Sequence, residues 1–143
     1  MSAVNKFSGE WGELFSWSGA RSRRYVGERA AAVTETWLIG KAEKARNFAV
    51  RYYEVDARGH TNLEEHAHDH GILFLRGQGR VLLGDEWHDV TQGDVVYIAP
   101  DERHQIVNSG EGALGFICVI PAVRMKHEKK VWAEEGLKLT TNE

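Results

Sequence analysis

Three histidines alternate in the stretch from Gly59 to Val81, GHTNLEEHAHDHGILFLRGQGRV: His66, His68 and His70, with Glu64 just upstream. Imidazoles joined by a carboxylate suit divalent Mn, Fe, Ni, Zn or Cu, whereas Ca and Mg want oxygen donors. Side chains of an extended strand point alternately to its two faces. Glu64, His66, His68 and His70 therefore start on one face of such a strand, and a helix would spread them around its circumference. The same alternation sends Glu65 and Asp69 to the opposite, solvent side. The apolar run Ile72-Leu73-Phe74-Leu75 and the turn Gly77-Gln78-Gly79 follow. Together they predict a ligand-bearing strand that enters a β-hairpin.

A ligand set needs a partner from elsewhere. The block Gly93 to Pro100 leads into Asp101-Glu102-Arg103-His104 and on to Asn108. His104 opens an apolar strand just after a Pro-containing turn, where it can reach across from a facing wall. The two blocks resemble the two motifs of the cupin superfamily. Gly93, His104 and Asn108 fall at the family spacing of the second motif, with Ala99 where Pro is usual and Asp101 where Gly is usual. In the first motif, counting back from Gly77 puts the family's Glu on His70, its second His on His66 and its first His on Glu64. The competing register makes His66 and His68 the His pair and leaves Ile72, which cannot ligate, at a ligand position. The resemblance, which covers about half of the chain from Phe48 to Pro121, thus implies Glu64, His66, His70 and His104 as metal ligands. His68 is the alternate to Glu64, or a supporting group, as is Asn108. It also implies an all-β fold, a double-stranded β-helix (jelly-roll) barrel.

The elements that would position these residues follow from alternation and turn signals. Ala30 to Gly40 reads as a strand with Val33, Glu35, Trp37 and Ile39 on one side. Lys41 to Asn47 is a charged turn, and Phe48 to Asp56 is a second strand. From that strand either Arg51 and Tyr53 or Tyr52 and Glu54 could project into a pocket, while aromatic and charged residues are also common on half-exposed strands with no such role. Arg51, Tyr53 and Tyr97 are the candidate substrate-binding residues, although Tyr97 and Trp87 also fit a core. Short strands at regular spacing continue through Ala113 to Ile120 and stop at Pro121, the pattern of a sandwich or barrel. The chain reads as one domain, residues 1–143, with a barrel core at about 30–121 between short N- and C-terminal arms. Trp11, Phe15 and Trp17 in the N-terminal arm suit either a flap over the barrel mouth, a dimer arm, or packing on the outer sheet. Ala122 to Asn142, with Met125, Val131, Trp132 and Leu137, suits a short helix or an outer-face arm.

Bulk properties exclude several classes. At 143 residues the chain can bury one core. A net charge of −3 argues against a nucleic-acid footprint, and no apolar run approaches the length of a membrane span. The sequence MSAVNKFSGEWGELF lacks the apolar segment of a signal peptide. The one cysteine, Cys118, precludes an internal disulfide and reads as a small core residue; a reducing cytoplasm is the expected setting. His60, His88 and His127 read as ordinary polar side chains.

Ligand count decides what such a metal can do. Four ligands on an octahedral ion leave room for a substrate oxygen or an activated water, and four on tetrahedral zinc leave none. The resemblance implies a metal-dependent enzyme, an isomerase, dioxygenase or decarboxylase, acting on a small oxygen-rich sugar or organic acid. The alternatives are a non-catalytic small-ligand-binding or sensor barrel and a barrel whose metal serves the fold alone. It further implies a homodimer, since an exposed edge strand is otherwise a liability.

Overall fold

The structure, a computed structural model, describes residues 2–25, 31–122, 128–133 and 136–141. These residues form twelve strands: β1 (Arg21–Tyr25), β2 (Ala31–Ile39), β3 (Phe48–His60), β4 (Leu63–Glu65), β5 (His70–Arg76), β6 (Gln78–Leu83), β7 (Glu86–Thr91), β8 (Val95–Ile98), β9 (His104–Asn108), β10 (Leu114–Pro121), β11 (Glu128–Ala133) and β12 (Gly136–Thr141). All the pairings are antiparallel, and they make one curled sheet with two walls. One wall runs β1-β2-β3-β10-β5-β8. The other runs β7-β6-β9-β4-β11-β12. The far end of β3 joins them through His60 and Val107. The architecture is the all-β, jelly-roll type that the sequence predicts.

Alternation builds the core between the walls. On β5, His70, Ile72 and Phe74 are buried and Leu73 is exposed; on β9, His104, Ile106 and Asn108 are buried. β10 contributes Leu114, Phe116, Cys118 and Ile120, and β6 and β7 close the core with Val81 and Val90. A fully buried side chain of the size of Phe74 or Phe116 stabilises by about 1.5–3 kcal/mol. Phe116 also lines the cavity onto which the histidines open.

Three expectations are corrected. The strand that carries the histidines is interrupted: β4 ends at Glu65 and β5 starts at His70, with a bend between. Gly77 does not head a hairpin, because β5 pairs with β10 and β8 while β6 pairs with β7 and β9. The chain passes from one wall to the other there. Gly77 is required by its backbone, with φ +83 and no room for a Cβ beside the Ala113 carbonyl oxygen. The C-terminal arm is not a helix: Val131 and Trp132 lie on β11 and Leu137 on β12, a hairpin that pairs with β4. Met125 lies outside the described residues.

The N-terminal aromatics pack outside the barrel. Phe15 is buried and stacks on Tyr52 at 5.2 Å between ring centroids, beside Trp17. Tyr52 faces away from the barrel interior, so these residues cover the outer sheet and not the mouth.

Candidate metal centre

Four elements bring their side chains to one place. Glu64 comes from β4, His66 from the bend after it, His70 from the start of β5 and His104 from the start of β9. Antiparallel pairing sets Glu64 directly opposite His104. The ligand atoms of His66, His70 and His104 all lie within 4.8 Å of one another, and all three residues are buried. His66 Nε2 and His70 Nε2 are 2.8 Å apart. Glu64 Oε1 stands 3.6 Å from His66 Nε2 and 3.8 Å from His104 Nε2.

Each imidazole is held by its other nitrogen. His66 Nδ1–H donates to the His68 carbonyl oxygen at 2.8 Å, which is what the bend after β4 accomplishes. His104 Nδ1–H donates to the Glu102 carbonyl oxygen at 2.9 Å. His70 Nδ1 meets Cys118 Sγ at 3.1 Å. This leaves the Nε2 lone pairs toward the cavity, the arrangement that metal-binding histidines require. Burial, then the neighbouring His104 and His66, push the His70 pKa far below its ordinary value. A buried imidazole kept neutral is a competent ligand.

His68 is buried and lines the cavity, but it is outside the converging group. Its ring stacks on His66 at 3.7 Å with a 4° interplanar angle, so it packs the neighbouring imidazole in place. Asn108 does not reach the histidines: it donates to the Val55 and Gly112 carbonyl oxygens and clips the end of β9 to β3 and the next loop. His60 bonds the Thr61 carbonyl and His88 is half exposed beside Glu86, as ordinary side chains. His127 lies outside the described residues.

The histidines open on a cavity of about 270 Å³. Of the two pairs on β3, Arg51 and Tyr53 face it; Tyr52 and Glu54 bond each other on the other side. Tyr97 does not line it. Ile98 takes the inward position on β8, so Tyr97 points out, is 61% exposed and donates to Asp69 at 2.7 Å. Trp87 is likewise exposed rather than core.

Sequence reasoning gave Glu35, Trp37 and Cys118 no part in the site, although all three line the cavity. Glu35 is 2% exposed and accepts from Trp37 Nε1 at 2.8 Å, from Tyr53 Oη and from Arg51 Nη1 at 3.4 Å. The available signal was a carboxylate on the otherwise apolar face of β2. Burial, opposed by Arg51 and aided by Glu35, raises the Tyr53 pKa well above its usual value, so the phenol keeps its proton. Burial also raises the Cys118 thiol.

Comparison with known proteins agrees with this architecture. The Cupin_2 family, described as a cupin domain, matches residues 51–120. A 1-methylthio-D-xylulose 5-phosphate methylsulfurylase from Rhodospirillum rubrum is 39% identical over 77 residues, 54% of this chain and 49% of that protein. An (S)-ureidoglycine aminohydrolase from Arabidopsis thaliana is 51% identical over 83 residues, 57% of this chain and 28% of that protein. The chain thus spans half or less of these curated relatives. A crystal structure of a cupin-2 domain protein from Rhodospirillum rubrum superposes with a TM-score of 0.77 at 30% identity, over 87% of this chain and 82% of that one.

Proposed function

The chain belongs to the cupin family, and on that premise we propose that it binds one divalent transition metal and acts there on a small oxygen-rich organic compound, a sugar or an organic acid. The observation that carries this reading is the convergence of His66, His70 and His104 on one point of a cavity wall, with the Glu64 carboxylate beside them. In this reading the three Nε2 atoms and Glu64 hold Mn, Fe, Ni, Zn or Cu, the ions suited to nitrogen-rich sets. When bound, such an ion polarises a substrate oxygen or activates a water. Arg51 and Tyr53 lie on the wall of the same cavity and orient the compound, Arg51 through its guanidinium and Tyr53 through its ring and phenol oxygen. Tyr97 is given no part.

The two curated relatives are named as enzymes, which supports catalysis over storage. A homodimer belongs to the same proposal: β8 is paired on one side among the described residues, and its Val95 and Tyr97 are exposed. A cytoplasmic location and the absence of nucleic-acid or membrane partners are also proposed. No helix among the described residues is long and apolar enough to cross a membrane.

The test is turnover. Tag-free protein is loaded in turn with Mn, Fe, Ni, Zn and Cu and incubated with sugar phosphates, hydroxy acids and ureido acids, with substrate loss followed by NMR. The proposal expects turnover by at least one metal form and none by His104→Ala. Metal-loaded protein that turns over nothing in the panel overturns the enzymatic reading and leaves a ligand-binding barrel.

A further inference from the structure

The cavity has a second polar wall, which meets the histidines where Cys118 touches His70. Glu35 and Trp37 project from β2, Arg51 and Tyr53 from β3, and Cys118 from β10. The Arg51 guanidinium lies 4.9 Å from the centroid of the Tyr53 ring and 5.5 Å from that of Trp37. Its Nη1 donates to Glu35 and its Nη2 to Cys118 Sγ at 3.4 Å. Its Nε–H is buried and has no hydrogen-bond acceptor among the described residues. A buried donor on a charged group is costly to leave without an acceptor. The guanidinium is therefore fixed on three sides in the cavity wall, with one N–H that no described residue accepts.

Charge points the same way. Arg23 reaches the cavity rim, with Nη2 3.5 Å from Glu35 Oε1. Among the lining residues Arg23 and Arg51 balance Glu35 and Glu64, and a divalent ion held by the histidines would leave the cavity positive. Guanidinium matches carboxylate and phosphate oxygens in charge and in geometry.

Resting on the metal-centred reading above, the geometry points to Arg51 as the anchor for a carboxylate or phosphate group of the substrate, with Glu35 as the positioning residue that sets the guanidinium. The compound is then a small acid, held by its anionic group on the β2–β3 wall while its other oxygens face the histidines. A neutral sugar or alcohol lacks the group this wall recognises.

Calorimetric titration tests this with three related probes: D-glycerate for carboxylate, sn-glycerol 3-phosphate for phosphate and glycerol as the neutral control. Each is titrated into zinc-loaded and into metal-free protein. The expected result is binding of one or both acids to both forms, with the stronger acid identifying the group, and no binding of glycerol. Arg51→Gln is expected to weaken acid binding about tenfold or more, roughly the loss of one charge-assisted hydrogen bond. If Arg51→Gln alone does not fold, the paired change Glu35→Gln/Arg51→Gln removes both buried charges and is expected to show the same loss. Acid binding unchanged in these variants overturns the assignment. So does glycerol binding as tightly as the acids, acid binding confined to the zinc form, or no acid binding at all. A chain that takes up none of Mn, Fe, Ni, Zn or Cu sinks the metal reading by itself, and the metal-free titration then still decides Arg51.

Discussion

His70 and Cys118 face each other across the adjacent strands β5 and β10, with Nδ1 and Sγ 3.1 Å apart. When His70 serves as a ligand through Nε2, its Nδ1–H donates to the sulfur, and the ring cannot turn away without losing that bond. Cys118 is thus a core residue that also aims an imidazole. Outer partners of this kind are worth about 10–100-fold in metal affinity. Cys118→Ala is expected to weaken zinc binding by about that factor, measured by chelator competition, with the fold retained. Affinity equal to wild type would show that the contact does not orient the ring.

The metal-free protein is expected to lose stability on acidification. His70 stays neutral in the folded state well below the ordinary 6.5 at which an unfolded histidine titrates. Below about pH 6.5 the unfolded chain binds protons that the folded chain refuses. Stability therefore falls as pH drops from there and is flat for this group above it. The slope is at most about 1.4 kcal/mol per pH unit for one histidine. Urea denaturation of chelator-treated protein between about pH 5 and 8 reads it. A midpoint that rises toward acid contradicts the buried neutral imidazole.

Asp101 occupies a left-handed backbone conformation, φ +61, and its N–H donates to the His66 carbonyl oxygen at 2.7 Å. Aspartate tolerates this region better than branched residues do. Asp101→Gly is expected to hold or raise stability, and Asp101→Val to lower it by about 1–2 kcal/mol. Thermal denaturation of both variants checks the order, and the reverse order refutes it.

The ligand substitutions should rank themselves by geometry. His66→Ala, His70→Ala and His104→Ala each remove a member of the converging group. They are expected to abolish stoichiometric metal. His68→Ala removes a stacked ring and should leave most of it. Glu64→Gln should fall between, because a single oxygen faces two of the imidazoles. Metal loss with His68→Ala as complete as with His104→Ala would restore His68 as a ligand.

The site was legible where spacing maps onto strand geometry. The resemblance to the cupin motifs, carried by Gly93, His104 and Asn108 and by the alternating histidines, implied Glu64, His66, His70 and His104 as one group, with His68 the alternate. The bend between Glu65 and His70 was hidden, because a period of two describes side chains and not the bond from His66 Nδ1 to the His68 carbonyl that breaks the strand. Glu35 was hidden for another reason: a carboxylate on an apolar strand face is ambiguous until its partners on β3 are placed beside it. Tyr97 failed as a pocket residue because a strand this short, Val95–Ile98, fits either phase of the alternation. Pairing of Ile98 with His70 is what decides it. The C-terminal hairpin could not be read because its partner, β4, lies far upstream.

The most direct test of the central claim is the metal content of tag-free protein, purified without added metal and then again after loading, with His104→Ala beside it. The expected content is close to one Mn, Fe, Ni, Zn or Cu ion per wild-type chain and almost none in His104→Ala. A wild-type chain that holds no metal under any loading condition, or a His104→Ala variant that holds as much, would contradict it.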